Sequence, residues 1–421
     1  MSLVDVLVIA ALPEEYDAAQ SAANGVGAGR WRERNVNGLT PYLTGEYQAP
    51  AGNRITVALA RPTGMGGRRT GPIATTLTDL LQPTCLAMCG VCAGNPDDTA
   101  PGDVIVAAPA YEYDEGKHAG GAFQGAHQQY PLNDRWLRAA QDFDPSVLPS
   151  HGGATEQESA IWFLERLHRG HDARQHPARP RYFPTGTWSE RLARLESGGL
   201  IEWQKGDWAL TTLGSAKIER ILADDVDGPD RLPFMVEAGP MASGSAVVQD
   251  PEIWSNLKNM GARKILGLEM EAATIATVAH EREVPHWLVA KGVMDNADFA
   301  KDDRFKRFAA RASAEVLFEL LCRVLPLRPG GRNAPIPGPL KEAIQGDVKL
   351  YIVQRLHFDW QDLADLVGVP GFERARFTPG DEPRALWEWL EVRGRLADLP
   401  AALTEVGRAD LGDRLRPHVR S

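Results

Sequence analysis

Cysteine is sparse in this 421-residue chain, which holds four: Cys85, Cys89, Cys92 and Cys322. The first three follow one apolar strand and the Gly-rich turn after it, with no second CxxC and no histidine nearby. No metal site is expected, and the thiols read as small buried side chains in a reducing compartment. Long apolar runs are missing too. None reaches the roughly 20 residues that a bilayer span needs, and no basic segment precedes the first one. The expectation is a cytoplasmic protein without a membrane partner. Excess positive charge is also absent. Lys+Arg total 46 against 56 Asp+Glu, a formal net charge of -10. That balance suits a phosphate backbone poorly, so nucleic acid is not an expected partner.

What is present is length and alternation. A chain of 421 residues exceeds one ordinary core and implies two or three domains. Residues 4–12 form an aliphatic run that reads as a central parallel strand covered on both faces. Pro13-Glu14-Glu15 then opens a helix, with proline in the first turn and acids at its positive end. Further strands are predicted over 55–60, 84–88 and 104–108, with Gly-rich turns after the first two. The strand–turn–helix rhythm returns at Ile265, with a helix over 269–282, a strand over 286–291 and a long helix over 303–325. This is α/β organisation.

Residues 155–225 break the rhythm. A helix beginning Ile161-Trp162-Phe163-Leu164, a second over 188–195, two short strands and a closing helix resemble a winged-helix unit. Arg191 and Arg194 share their helix with Glu190 and Glu196, which fits protein contact or oligomer support better than DNA. Residues 327–339 are rich in Pro, Gly and Arg and read as a linker. Residues 340–421 carry helical apolar sets (Leu340, Ile344, Leu350, Val353 and Leu356; Leu363, Leu366 and Val367; Leu386, Trp387, Trp389 and Leu390; Leu399, Leu403 and Val406) and no cluster suited to chemistry. They read as a helical adaptor bundle.

Acids at three places stand out by position. Glu15 follows the first strand. Gly267-Leu268-Glu269-Met270-Glu271-Ala272-Ala273 places acids in an otherwise apolar helix. Gly292-Val293-Met294-Asp295-Asn296-Ala297-Asp298 places one just past a buried strand. Each has a plain structural reading: Glu15 as a helix-dipole acid, Glu269 as a solvated helix residue, Asp295 and Asp298 as loop-ordering groups. Together they suggest a pocket that holds a sugar and protonates a leaving group.

With these motifs in order, residues 3–110 and 240–325 resemble the nucleoside phosphorylase and methylthioadenosine/S-adenosylhomocysteine nucleosidase superfamily. The matching pieces are Ala10-Ala11-Leu12-Pro13-Glu14-Glu15, Thr63-Gly64-Met65-Gly66, Gly90-Val91-Cys92-Ala93-Gly94, Ser243-Gly244-Ser245-Ala246, Glu269-Met270-Glu271-Ala272 and Met294-Asp295-Asn296-Ala297-Asp298. The resemblance implies a three-layer α/β/α fold over 1–154 and 226–326, interrupted by the insertion at 155–225. It implies that Glu15 holds the attacking water, Glu271 binds the ribose hydroxyls, Met270 lies on the ribose face and Asp295 serves purine N7. Val247 stands where the nucleosidases place an aromatic ring over the base; Phe299, Phe305 and Tyr111 are candidate substitutes. Met88 stands where purine phosphorylases carry a phosphate-gripping arginine, which favours hydrolysis. The tail resembles the death-like, effector-associated helical domains of bacterial conflict systems. That implies a protein partner and a nucleotide-depleting role in antiphage defence.

The chemistry needs these groups. A purine leaves poorly until N7 takes a proton, and a placed acid contributes roughly 10²–10⁴-fold. A second, ionised carboxylate can orient water at C1′ and offset the cationic sugar. No cofactor is needed. Gly64, Gly66 and Gly90 let backbone N–H groups approach a ligand. Thr63 lies in the same turn. Arg61, Arg68 and Arg69 flank it, either as 5′-phosphate contacts or as solvated or interface charges. The expected activity is hydrolysis of an adenine nucleoside or nucleotide (ATP, AMP or adenosine type), by a homo-oligomer. The alternatives are phosphorolysis, with Arg61 or Arg68 replacing the missing arginine, and non-catalytic nucleotide sensing.

Overall fold

The computed structural model describes residues 4–23, 31–36, 40–48, 54–119, 122–224, 228–260, 264–298, 303–325, 346–356, 359–375, 377, 381–392 and 395–416. The opening aliphatic run becomes β1 (Val6–Ile9), buried along its whole length. The strands that follow are β2 (Arg32–Val36), β3 (Thr40–Gln48), β4 (Arg54–Ala60), β5 (Cys85–Gly94) and β6 (Val104–Glu112). Two small hairpins come next, β7 (Gly116–Ala119) with β8 (Ala122–Gly125), and β9 (Ile201–Gln204) with β10 (Asp207–Leu210). The last three strands are β11 (Val236–Ser243), β12 (Gly267–Glu269) and β13 (His286–Asp295).

Nine of these make one sheet, ordered β12-β11-β6-β13-β5-β1-β4-β3-β2. β1 lies parallel to β4 and β5, as the fully buried run predicts. The sheet at the centre of this α/β unit is partly closed. β12 pairs in parallel with β11 and also antiparallel with β5, through Gly267 opposite Gly94 and Leu268 opposite Ala93. The sheet therefore closes on itself over β5, β13, β6, β11 and β12. Gly94 permits the closure, since a Cβ there would sit 2.3 Å from Thr99 Oγ1 and 2.6 Å from Val293 Cγ1. β13 also runs antiparallel to β6, so the sheet is mixed.

Leu7 and Ile9 share the main core with Leu77, Ile275 and Ala279, from the helices Gly67–Leu81 and Ala272–Glu281. The helices Pro13–Ala23 and Lys306–Val324 pair with each other and pack on β5. Each fully buried Leu, Val or Phe of that last helix adds roughly 1.5–3 kcal/mol. Between β8 and β11 a separate cluster gathers Trp162, Phe163, Leu192, Leu195, Ile201 and Ile218. Its first helix, Glu156–His168, starts on a Thr155–Glu158 capping box. Arg181 from this region forms a two-pronged ion pair with buried Asp103, at 2.9 Å on one prong. Arg191 and Arg194 are engaged internally. Arg191 donates to Tyr182 O at 2.8 Å, and Arg194 pairs with Glu156 and Glu190.

The chain divides into two compact units, the smaller made up mostly of Pro326–Ser421, with Asn24–Gly29 and Tyr47–Arg54. Its described helices enclose Val353, Leu356, Leu363, Val367, Leu386, Trp387, Leu390, Leu399 and Leu403. Leu366, expected in this core, is 42% exposed. The expected linker at 327–339, with Leu340 and Ile344, lies outside the described residues.

Candidate active site

Glu15 sits in the first turn of the helix Pro13–Ala23 and is buried. Its Oε2 accepts from Ala11 N and Leu12 N, both at 2.9 Å, and its Oε1 from Val91 N at 2.8 Å. The first two bonds close the helix start, so the plain helix-end role is real. The third ties the helix to strand β5, in which Val91 lies. Gly90 allows that approach: a Cβ there would lie 2.4 Å from Oε1. Burial pushes the Glu15 carboxyl above the ordinary 4.5; Lys291 pulls against this, while Glu271 adds to it.

Glu269, read from sequence as a solvated helix residue, is buried at the end of β12. The helix begins only at Ala272, so neither acid lies inside it. Glu269 accepts from Ser243 Oγ at 2.5 Å, Glu271 N at 2.9 Å and Ala272 N at 2.9 Å, capping the helix start. Burial and neighbouring Glu271 raise its pKa, against the pull of Lys291. Glu271 accepts from Gly66 N at 2.6 Å on Oε1 and from Lys291 Nζ at 3.1 Å on Oε2. Gly66 has φ 95°, in the left-handed region that favours glycine.

Lys291 was not picked out from sequence. It is wholly buried in β13, its Nζ 3.1 Å from Glu271 and 3.3 Å from Glu269. Burial alone would strip its proton. Glu271, Glu269 and Glu15 outweigh that and hold it charged, with the pKa above the ordinary 10.5. The available signal was a lysine inside an apolar strand run, where an unpaired charge does not survive.

Asp295 ends β13. The register of β13 on β5 shifts between Val293 and Asp295, a bulge at Met294 that re-aims the acid. Asp295 is buried, and its Oδ1 accepts from Ala297 N at 2.8 Å. Asn296 Nδ2 donates to Gly94 O at 2.7 Å, anchoring the segment on the barrel.

Glu15, Glu269, Glu271 and Asp295 line one cavity of about 290 Å³ together with Met270 and Val247. Met65, Met294, Asp303 and Lys306 complete much of its wall. The expected Gly66 and Gly90 lie one layer behind, against Glu271 and Glu15. Thr63, Arg61 and Arg68 are exposed and do not line it. Around Gly64 there is open space; the conformational need for glycine falls on Gly66. The lining cation is Lys306, paired with Glu14 at 3.2 Å.

Among the described residues no aromatic ring lines the cavity, whose broad apolar faces come from Met65, Val247, Met270 and Met294. Tyr111 is buried elsewhere, Phe305 lies under Arg304, and Phe299 falls outside the described residues. Met88 is fully buried in β5, between Ile9 and Val289. The four cysteines are buried and free, and burial pushes Cys89 up to about 12, so its thiol keeps its proton. No group of three metal-binding side chains occurs among the described residues. Nor is any helix there long and apolar enough to cross a membrane.

Residues 346–418 match the family model described as Bacterial Death-like domain 3, as the resemblance of the tail implied. A curated relative, the uncharacterized protein y4jS of Sinorhizobium fredii (strain NBRC 101917 / NGR234), is 26% identical over 265 residues, 62% of this chain. The chain spans about half the length of that relative, 48%. In fold the chain is similar to solved 5′-methylthioadenosine/S-adenosylhomocysteine nucleosidases. The Neisseria meningitidis structure matches at 16% identity and TM-score 0.44, covering 76% of this chain and 99% of that one. The Streptococcus pneumoniae structure matches at 20% and 0.45, covering 75% and 98%. Futalosine hydrolase of Helicobacter pylori matches at 14% and 0.44, covering 76% and 99%. At these values the matches carry nothing about the reaction.

Proposed function

We propose that this protein hydrolyses the N-glycosidic bond of an adenine nucleoside or nucleotide. The observation that carries the reading is the convergence of Glu15, Glu271 and Asp295 on one 290 Å³ cavity, with Lys291 buried among the acids. In this reading Asp295 starts protonated and Glu15 ionised. The C1′–N9 bond breaks and its electron pair passes to the purine, whose N7 takes the Asp295 proton. A water oxygen bonds C1′ and gives a proton to Glu15. Adenine and the free ribose compound leave, and solvent returns both carboxyls to their starting forms.

Each role has a physical support. The raised pKa of Glu15 makes it a stronger base than an ordinary glutamate. Glu271, held by Gly66 N and Lys291, presents fixed oxygens to adjacent hydroxyls. Met65, Val247, Met270 and Met294 take the base and sugar faces by apolar contact in place of a stacked ring. Lys306 at the lining, with exposed Arg61 and Arg68 beside the Gly66 turn, offers positive charge to a 5′-phosphate chain.

Residues 1–154 and 226–326 then form the catalytic domain of nucleoside-phosphorylase type, 155–225 a winged-helix-like insertion and 340–421 the adaptor. The insertion reading is supported by its own apolar cluster and its helix–hairpin–helix order. A death-like tail suits recruitment by a protein partner and control of a homo-oligomeric, cytoplasmic effector that depletes nucleotides during phage infection. The test is incubation with ATP, AMP, adenosine and methylthioadenosine in phosphate-free buffer, with mass detection of free adenine. Release from at least one is expected. Release that needs phosphate would assign phosphorolysis instead, and tight binding without turnover would assign sensing.

A further inference from the structure

The insertion reaches the strand that carries Asp295 through one ion pair. Arg181 lies on the helix Arg179–Tyr182, which is seated in the insertion's own core. The Tyr182 ring stacks on Trp162 with 5.0 Å between centroids. Tyr182 O accepts from Ser159 Oγ at 2.6 Å and from Arg191 Nη1 at 2.8 Å. From this base Arg181 crosses 78 residues of sequence to Asp103, whose side chain is 3% exposed. Both carboxylate oxygens of Asp103 are engaged. Oδ2 accepts from Arg181 Nη2 at 2.9 Å and from Ala100 N at 2.8 Å. Oδ1 accepts from Arg181 Nη1 and from Met235 N, the latter at 2.9 Å. Arg181 Nη1 also donates to Pro233 O at 3.0 Å. One guanidinium thus ties the turn before β6 to the chain returning from the insertion.

The backbone of that same turn holds the end of β13. Gly102 N donates to Val293 O at 2.8 Å, and Val293 N donates to Asp103 O at 2.7 Å. Val293 is the last residue of β13 in register with β5 before the bulge that aims Asp295. The turn is closely packed on the returning chain: Gly102 has φ 96°, and a Cβ there would lie 2.5 Å from Leu232 Cδ1. Past the bulge, Ala297 has φ 58° and gives its N–H to Asp295 Oδ1. A left-handed backbone at a non-glycine residue persists only where its surroundings hold it. Asn296, bonded to Gly94 O, holds the segment on one side; Val293, bonded to Gly102 and Asp103, holds it on the other.

We infer that Arg181 is a positioning residue for the reaction: by fixing the Asp103 turn it fixes Val293, and with it the bulge from which Asp295 reaches the cavity. The inserted region is then part of the catalytic unit. The inference rests on the reading of Asp295 as the acid. It requires no change of charge at Asp295, only of place, and a misplacement of about 1 Å is enough to slow a reaction by about 10²-fold. Glu15 is held by Ala11, Leu12 and Val91, and Glu271 by Gly66 and Lys291. None of these bonds involves Arg181 or Asp103, so the loss falls on one acid of the three.

The experiment uses the full chain with Arg181→Met, alone and combined with Asp295→Asn. Arg181→Met keeps an apolar stem and removes both prongs. Its kcat per folded molecule should fall by about tenfold to a hundredfold, with KM within about twofold. Arg181→Lys keeps a cation on Asp103 without the fork, so its kcat should lie between those of wild type and Arg181→Met. In the Asp295→Asn background Arg181→Met should slow base release by less than about twofold, because residues that act as a unit are not additive. A pair that only holds the fold together would lower the unfolding temperature and leave kcat alone, or lower kcat equally in both backgrounds; either result overturns the proposal. Amide hydrogen exchange over 292–298 should quicken by about tenfold in Arg181→Met, with 9–16 and 63–70 unchanged. Exchange needs no turnover. A wild type that releases no base would defeat the proposed function, and exchange would still decide the coupling, since unchanged protection over 292–298 overturns it. If Arg181→Met does not fold, Arg181→Lys answers by the same kcat comparison in both backgrounds and the same exchange.

Discussion

The α/β unit and the C-terminal unit spend their interiors differently. Around β5, β12 and β13, Glu15, Glu269, Glu271 and Asp295 are buried at strand and helix ends, and Lys291 is buried within β13. In the C-terminal unit the core is Leu, Val, Ile and Trp, and Glu373 is the one charged side chain buried among its described residues. Its ion pairs, such as Lys349 with Glu388 at 3.2 Å, lie at the surface. Burying a charge costs several kcal/mol unless partners satisfy it. Among the described residues the larger unit gathers several such groups around one cavity, and the C-terminal unit, which matches a death-like domain, does not.

The sharpest way to break this contrast is to treat two lysines alike. Lys291→Met leaves Glu269, Glu271 and Glu15 buried without their cation, and should cost about 3–5 kcal/mol and abolish base release. Lys349→Met should cost less than about 1 kcal/mol. Thermal unfolding of both variants checks this; equal losses would erase the contrast. Next in size are Glu15→Gln and Asp295→Asn, each expected to slow base release by roughly 10²–10⁴-fold. Glu15 works ionised and its pKa is raised by burial, so the acid limb of the wild-type pH profile should lie above 4.5.

A smaller step concerns acid stability. Burial would raise the Glu165 carboxyl, but Arg166, Arg304 and Arg169 outweigh that and hold it at about 2 instead of 4.5. A depressed carboxylate stabilises the fold fully above the unfolded value and loses this as pH falls through the folded one. About 3 kcal/mol should therefore disappear from the larger unit between pH 4.5 and 2. Acid unfolding of wild type against Glu165→Gln measures it; a variant retaining the full step would remove Glu165 as its source. The smallest comparison sets two glycines side by side. Gly90→Ala drives a Cβ to 2.4 Å from Glu15 Oε1 and should cost about 1–3 kcal/mol together with activity. Gly371→Ala in the C-terminal unit meets nothing within 4 Å and should be close to neutral by the same unfolding measurement.

The contrast also explains what the sequence could disclose. Strand β1 was legible because a continuous aliphatic run has few other uses, and Trp387, Leu390 and Leu403 because their spacing is helical. Glu15, Glu271 and Asp295 were legible through motif order, and the cavity does bring them together. Closure of the sheet was not legible: β12 has three residues, too short to show a period, and was taken into the helix that follows. That error moved Glu269 to solvent. Lys291 was passed over because β13 reads as apolar on either side of it. Strands β2 and β3 were missed, their burial being mixed and their composition polar. The Glu165–Arg304 pair joins distant segments with no local signal in either, so only the fold reveals it.

The most direct measurement is base release in H₂¹⁸O without phosphate, followed by mass analysis of both products. Free adenine and a ribose product carrying one ¹⁸O at C1′ are expected, with both lost in Asp295→Asn. Base release only on adding phosphate, with ribose 1-phosphate as the sugar product, would contradict the account, as would intact substrate after every incubation.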